Sequence, residues 1–128
     1  MTFFIAKTIA ADFDQAIERT RAALAAEGFG ILTDIDVTAT LKAKIGEDFR
    51  PYRILGACNP KLAHRALLAE DHVGVMLPCS VAVQQRGPGS CEIAMIDPNA
   101  AIGSIGVAAM QPLAAEVAEK LNRALAAI

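Results

Sequence analysis

Hydrophobic and polar residues alternate near the start of the chain and again in four later stretches. Alternation with a period of two is typical of strands that bury one face of a sheet. The five predicted strands cover residues 2–9, 29–35, 52–58, 79–85 and 91–97. The last two are separated by the turn sequence Arg86-Gly87-Pro88-Gly89-Ser90, so we expect them to form a hairpin.

Between the strands, apolar residues recur every three or four positions, which indicates amphipathic helices. Residue types suited to helix ends mark where these helices begin and end. The first begins after Asp12 and ends at Gly28, a short one ends at Gly46, another runs from Asn59 to about Glu70, and the last starts near Pro112. In the first, Asp12 and Gln15 have the spacing of a capping box.

Helices near both ends and a hairpin late in the chain predict an α+β, two-layer domain. In this fold class, helices pack on one face of an antiparallel sheet. The opposite face also carries apolar positions, since Leu55 and Ala57 alternate with Ile54 and Cys58 in the third strand. A second subunit would cover that face, so we expect a homodimer. The 128 residues are predicted to form a single domain, 1–128.

Composition narrows the classes of partner. The net charge is −2 and the basic residues are not clustered, so no nucleic-acid partner is expected. Glycine, proline and asparagine interrupt the longest uncharged run, so no membrane span is expected, and the chain opens on a strand pattern without a signal peptide. Three cysteines without an export signal predict reduced thiols in the cytoplasm.

Cys58 has a physical reason to be reactive. It comes directly before the predicted N-cap Asn59, and a thiolate is stabilised near the positive end of a helix. The alternative is a small buried residue at a strand end, where apolar neighbours raise the thiol pKa. Cys79 is a candidate partner, since neighbouring strands would bring the two Cα atoms to the roughly 4.4–6.8 Å that a disulfide spans.

Other polar residues give weaker indications. Asp34 and Asp36 share one face of the second strand, where they would perform acid–base chemistry, bind a metal ion, or line the strand end and cap the next helix. His64 falls on a different side of its helix from the helix start, and His72 lies just past that helix, where it would cap the C-terminus. Neither histidine completes a recognised zinc spacing with the cysteines, so no metal or cofactor is predicted.

The segment Tyr52-Arg53-Ile54-Leu55-Gly56-Ala57-Cys58-Asn59-Pro60 resembles the bacterial and archaeal domain-of-unknown-function family numbered 302. Supporting matches are Gly28-Phe29, Leu77-Pro78-Cys79-Ser80-Val81 and Asp97-Pro98. The resemblance implies a fold similar to the TATA-binding protein, β-α-β(4)-α with extra short helices. That likeness concerns shape and does not imply DNA binding. The family has no established activity, so it implies no catalytic roles.

The expected function is therefore a cytoplasmic homodimer that binds a small ligand or partner in a pocket near Cys58. In this hypothesis Cys58 contacts the ligand, Asn59 orients the helix start, and Cys79 lines the opposite wall. One alternative is a thiol enzyme or redox sensor with Cys58 as nucleophile and Cys79 as resolving thiol. Another is a protein-interaction module without chemistry. Whether the protein is an enzyme stays open.

Overall fold

The computed structural model describes residues 2–128, which form a five-stranded antiparallel sheet with helices packed against it. The strands are β1 Phe4–Ala10, β2 Gly30–Asp36, β3 Tyr52–Cys58, β4 Cys79–Gly87 and β5 Ser90–Ile96. Their order across the sheet is β1-β5-β4-β3-β2, so β4 is central and β1 and β2 form the two edges. The expected α+β class and the late hairpin are confirmed.

The helices begin and end where the sequence predicts. They are α1 Phe13–Ala26, α2 Val37–Ile45, α3 Pro60–Ala69 and α4 Met110–Ala127, with short 3₁₀ helices at Asp71–Met76 and Ile102–Ser104. The Asp12 side chain accepts a hydrogen bond from Gln15 N, and the Gln15 side chain accepts one from Asp12 N, which completes the capping box. After α1 and α2, Gly28 and Gly46 turn the chain with positive φ angles.

The core lies between one face of the sheet and helices α1 and α4. Alternate residues of the central strands point into it, and the apolar stripes of both helices cover them. The fully buried side chains include Ile17, Leu24, Leu55, Val81, Val83, Ile93, Met95, Met110 and Leu121. This layer is the hydrophobic contact that makes the fold stable, since burial of one such side chain contributes about 1.5–3 kcal/mol.

The opposite face of the sheet, here called the open face, is not covered by the helices that form the core. Its residues alternate with the core residues and include Phe4, Tyr52, Ile54, Ser80, Ala82, Gln84, Arg86, Glu92, Ala94 and Ile96. Several apolar side chains on or beside it are exposed, with 65% of Phe3, 38% of Phe4 and 48% of Ile35 accessible. The predicted apolar second face is therefore present.

Simple alternation through the predicted strand 29–35 puts Ile31 and Ile35 on one face of β2, and this expectation is wrong. Ile31 pairs with Ala57, which faces the core, whereas Ile35 pairs with Ile54 on the open face. The register shifts between Ile31 and Thr33 because a β-bulge inserts one residue there. A bulge changes which face a side chain occupies, and simple alternation in the sequence does not report it.

Gly56 is a point of very close approach between neighbouring segments. A Cβ atom at this position would lie 2.2 Å from Thr33 Oγ1 and 2.6 Å from Pro78 Cγ. The Pro78 ring, just before β4, thus occupies the space that a side chain on β3 would need. This contact holds the start of β4 against β3, where Ser80 pairs with Gly56.

We expect Gly56→Ala to destabilise the fold by about 1–3 kcal/mol, the usual cost of overpacking a filled site. Unfolding by urea, followed by circular dichroism, measures the loss. Gly30→Ala is the matched control, because Gly30 is also a strand glycine and a Cβ there meets nothing within 4 Å. Equal stability of the Gly56 and Gly30 variants would contradict the steric argument.

Candidate functional site

The two candidate thiols lie at the same end of neighbouring strands. Ala57 pairs with Cys79 across β3 and β4, so Cys58 is offset from Cys79 by one residue. Within residues 2–128 all three cysteines are free, and no hydrogen bond joins the sulfur atoms of Cys58 and Cys79. Cys91 is fully buried and its thiol donates to the Ala11 carbonyl at 3.5 Å. The structure therefore brings Cys58 and Cys79 into one region and places Cys91 in the core.

Both thiols line a small cavity between the sheet end and helices α3 and α4. Its walls are formed by Phe29, Ala57, Cys58, Asn59, Leu62, Ala63, Ala66, Leu77, Cys79, Ile102, Leu113 and Val117. The cavity volume is about 30 Å³, which is room for a water molecule or two. A ligand of ordinary size does not fit here unless the walls move.

A larger groove lies beside this cavity, at the same end of the sheet. It is lined by Val75, Met76, Pro78, Cys79, Ser80, Ile96, Pro98, Ala101 and Ile102, and has a volume of about 260 Å³. Cys79 and Ile102 line both spaces. They therefore form the wall between the open groove and the inner cavity.

Burial dominates the electrostatics of the two thiols. It raises the pKa of Cys58 above its usual value. It also raises the pKa of Cys79 to about 11, with a smaller contribution from the negative charge of a Cys58 thiolate. Both residues are thus neutral thiols near pH 7, and the expected stabilisation of a Cys58 thiolate by the helix start is outweighed.

Asn59 has a structural role at the start of α3. Its Oδ1 accepts from Leu62 N at 3.4 Å, which caps the helix as predicted. Its Nδ2 donates to the Glu27 carbonyl at 3.5 Å, just past the end of α1. Because both ends of the amide are engaged, Asn59 orients α3 relative to α1 and has little capacity left for a ligand.

The carboxylates of β2 do not form a catalytic pair. Asp36 caps α2 by accepting from Ala39 N at 2.9 Å. Asp34 accepts hydrogen bonds from Arg53 and Arg21, and the bond from Arg53 is the main cause of its lowered pKa. The carboxylate oxygens that acid–base chemistry would need already accept these hydrogen bonds. Asp36 therefore caps a helix, as the alternative predicted, and Asp34 belongs to an ion-pair cluster.

The histidines lie apart from the thiols. His64 is exposed on α3. His72 does not cap α3; its Nδ1 lies 2.9 Å from Glu70 Oε2 and 3.0 Å from Asp71 Oδ1. This exposed trio is the one group within residues 2–128 whose ligand atoms are close enough for a metal ion. Its members are consecutive in sequence and pair with one another, so they do not amount to a metal centre.

Comparison with known proteins agrees with the geometry. A family model described as a domain of unknown function, DUF302, matches residues 5–128. The chain belongs to the DUF302 family. The crystal structure of an uncharacterized conserved DUF302 protein from Bacillus stearothermophilus superposes with a TM-score of 0.91 and 31% identity, over 99% of this chain and 98% of that chain. A search of curated proteins finds no match.

The family resemblance noted from the Tyr52–Pro60 segment is thereby confirmed, and the structure gives several of its residues a local role. The segment contains the close-packed Gly56, the cavity residue Cys58 and the cap Asn59. No helix within residues 2–128 combines the length and the apolar character needed to cross a bilayer.

Sequence reasoning missed the groove residues Met76, Ala101 and Ile102. They come from the two short 3₁₀ regions, whose sequences give no clear periodic signal. The apolar residues around Val75 were a usable indication, because they follow a predicted helix and Gly74 and Pro78 weaken a strand there. In the structure 89% of Val75 is exposed.

Alkylation of the folded protein with iodoacetamide tests the state of the thiols. We expect Cys79 to label about a hundredfold more slowly than an unfolded cysteine at pH 8, since a pKa near 11 in place of 9.0 leaves about a hundredth of the thiolate. Its rate should continue to rise up to about pH 11.

Tryptic peptides separate the three cysteines for mass spectrometry, because Lys or Arg residues lie between them. The protein unfolded in urea provides the reference rate for each peptide. Rapid labelling of Cys79 at pH 7 in the folded state would contradict a buried neutral thiol.

Proposed function

We propose that this DUF302 protein binds a small, uncharged, largely apolar molecule in the groove beside Cys79. The observation that carries the proposal is that Cys79 and Ile102 line both the groove and the inner cavity. A molecule in the groove would rest against this wall, and movement of the wall would give it access toward Cys58. The groove volume of about 260 Å³ is close to the lower limit of small-molecule sites, about 300 Å³.

The lining of the groove selects the chemistry of the ligand. None of its lining residues within the described chain carries a charge, so a charged ligand would lose its hydration without gaining a partner. The thioether of Met76 and the ring of Pro78 offer apolar contact, and Ser80 supplies one hydroxyl. An aromatic ring or a short alkyl group with a single hydroxyl or carbonyl has the matching character.

The proposal changes the roles that the sequence suggested for three residues. Cys79 becomes the main thiol contact, because it reaches the larger space. Cys58 lines only the inner cavity, and Asn59 acts by fixing the start of α3. A cytoplasmic location is part of the same proposal, since three free thiols suit a reducing compartment.

A thiol enzyme or redox sensor has less support. The thiolate is the reactive form of cysteine, and burial raises the pKa of both Cys58 and Cys79. Neither the cavity nor the groove is lined by a histidine or carboxylate that would accept the thiol proton. Ligand binding without thiolate chemistry therefore fits the surroundings of these residues better.

Titration with small uncharged aromatics tests the groove. We expect benzene, phenol and indole to shift the amide signals of residues 75–77, 79–80 and 99–102 in heteronuclear NMR spectra, because these segments line the groove. Indole-3-carboxylate should bind more weakly than indole by a factor of about ten or more, since its carboxylate finds no partner there.

Ala101→Leu should abolish the indole-induced shifts by filling the groove. Ala100→Leu is the matched control, because Ala100 is also half-buried but does not line the groove. The proposal fails if none of the uncharged probes gives saturable shifts in these segments, or if both leucine variants bind indole equally.

Self-association through the open face is a second proposed function. An ion pair and a hydrogen bond within one subunit already engage charged side chains on and beside that face. Arg86 pairs with Glu92 at 3.2 Å, and Gln84 accepts from Arg50 Nε at 2.9 Å. Two identical faces can therefore approach without strong repulsion, which suits a symmetric homodimer better than a highly charged partner.

Ala82→Glu should weaken the homodimer by at least tenfold, because Ala82 lies on central strand β4 and a symmetric contact would bring two new carboxylates together. Sedimentation velocity over a range of concentrations measures the dissociation constant. Ala115→Glu, on the exposed side of α4, should leave it unchanged. A wild-type protein that stays monomeric at high concentration would overturn self-association and favour docking of a different protein.

A further inference from the structure

The groove opens at the edge of the open face. Val81 pairs with Met95, so the adjacent residues Ser80 and Ile96 are neighbours across β4 and β5. Both residues line the groove. Both also line a shallow depression that lies on the open face. A molecule that covers this end of the face therefore also covers the mouth of the groove.

Several exposed apolar side chains lie at this same end of the sheet. Phe4 pairs with Ile96, which places it in the row that reaches the groove. On the groove wall, 89% of Val75 and 38% of Met76 are exposed. The Arg86–Glu92 ion pair lies at the other end of the sheet, beyond Ala82. The end of the face beside the groove is thus lined by apolar side chains, and the ion pair lies far from it.

The area of the sheet alone is small for a stable dimer. Five strands at about 4.8 Å spacing and seven residues at about 3.3 Å give a planar area of about 550 Å². A standard interface buries about 800 Å² per partner. The relief of the side chains adds to this planar area, and rim residues such as Val75 and Met76 extend the face toward the standard size.

We propose that a second copy of this chain docks over the open face and its groove-side rim, and thereby closes the mouth of the groove. Dimer formation and ligand binding are then coupled. The inference rests on the proposed function, to which it adds a mode of regulation. A ligand that occupies the groove fills the gap under the partner, and the partner removes the exposed side of the ligand from water.

Thermodynamic linkage relates the ligand affinity of the protein to the stability of its dimer. If dimerisation raises the affinity for a ligand by some factor, a saturating ligand strengthens the dimer by the same factor for each site it fills. Coupling energies of this kind typically correspond to a factor of about 5–150. The effect therefore appears in two independent measurements on the wild-type protein.

Indole serves as the probe. Sedimentation velocity of the wild-type chain with saturating indole should give a dimer dissociation constant at least fivefold lower than without it. Indole titrations above and below that dissociation constant should show the matching gain in affinity at high protein concentration. Dilution alone makes this comparison, so it does not depend on any variant folding correctly.

Ala82→Glu adds a check, because Ala82 does not line the groove and cannot touch indole directly. The indole affinity of this variant should fall to that of the wild-type protein diluted below its dimer dissociation constant. The Ala115→Glu variant should keep the indole affinity of the wild-type dimer. Equal indole affinity in monomer and dimer overturns the coupling but leaves binding in place. Absence of any indole binding overturns the proposed function itself, and the inference with it.

Discussion

The packing of the Pro78 ring against the bare backbone of Gly56 is the contact on which the candidate site depends. Because β3 has no side chain there, the segment before β4 can lie directly on it. The same approach sets the register in which Ala57 faces Cys79 and Ser80 faces Gly56. The thiols and the floor of the groove thus occupy one end of the sheet through a steric constraint, not through any bond between the cysteines.

Two opposing effects act on Cys58, and their magnitudes decide the outcome. A helix N-terminus stabilises a nearby anion by about 0.3–1 kcal/mol, which corresponds to less than one pKa unit. Desolvation shifts the pKa of a buried group by up to several units in the opposite direction. Cys58 and Cys79 line an apolar cavity, so burial prevails and both pKa values are raised. The site therefore favours neutral contact over thiolate chemistry.

Local patterns predicted most of the fold, because caps and strand alternation act over a few residues. The capping box at Asp12, the cap at Asn59 and the hairpin after β4 are examples. The bulge in β2 escaped prediction, since alternation continues through the sequence while the backbone shifts register. The groove escaped it for a different reason. Its walls come from Met76 and Ile102, which tertiary packing brings together without a local signal.

Edge strands of a sheet can pair with strands of other molecules, and bulges or charged side chains on an edge discourage this pairing. The exposed edge strand β2 carries a bulge and the acidic residues Asp34 and Asp36, which discourage pairing with another strand. None of the described residues that line the groove is charged, and Phe3 and Val75 remain exposed at this end of the sheet. The exposed apolar side chains beside the groove, set against a β2 edge that carries acidic residues, support the proposed contact at the groove end.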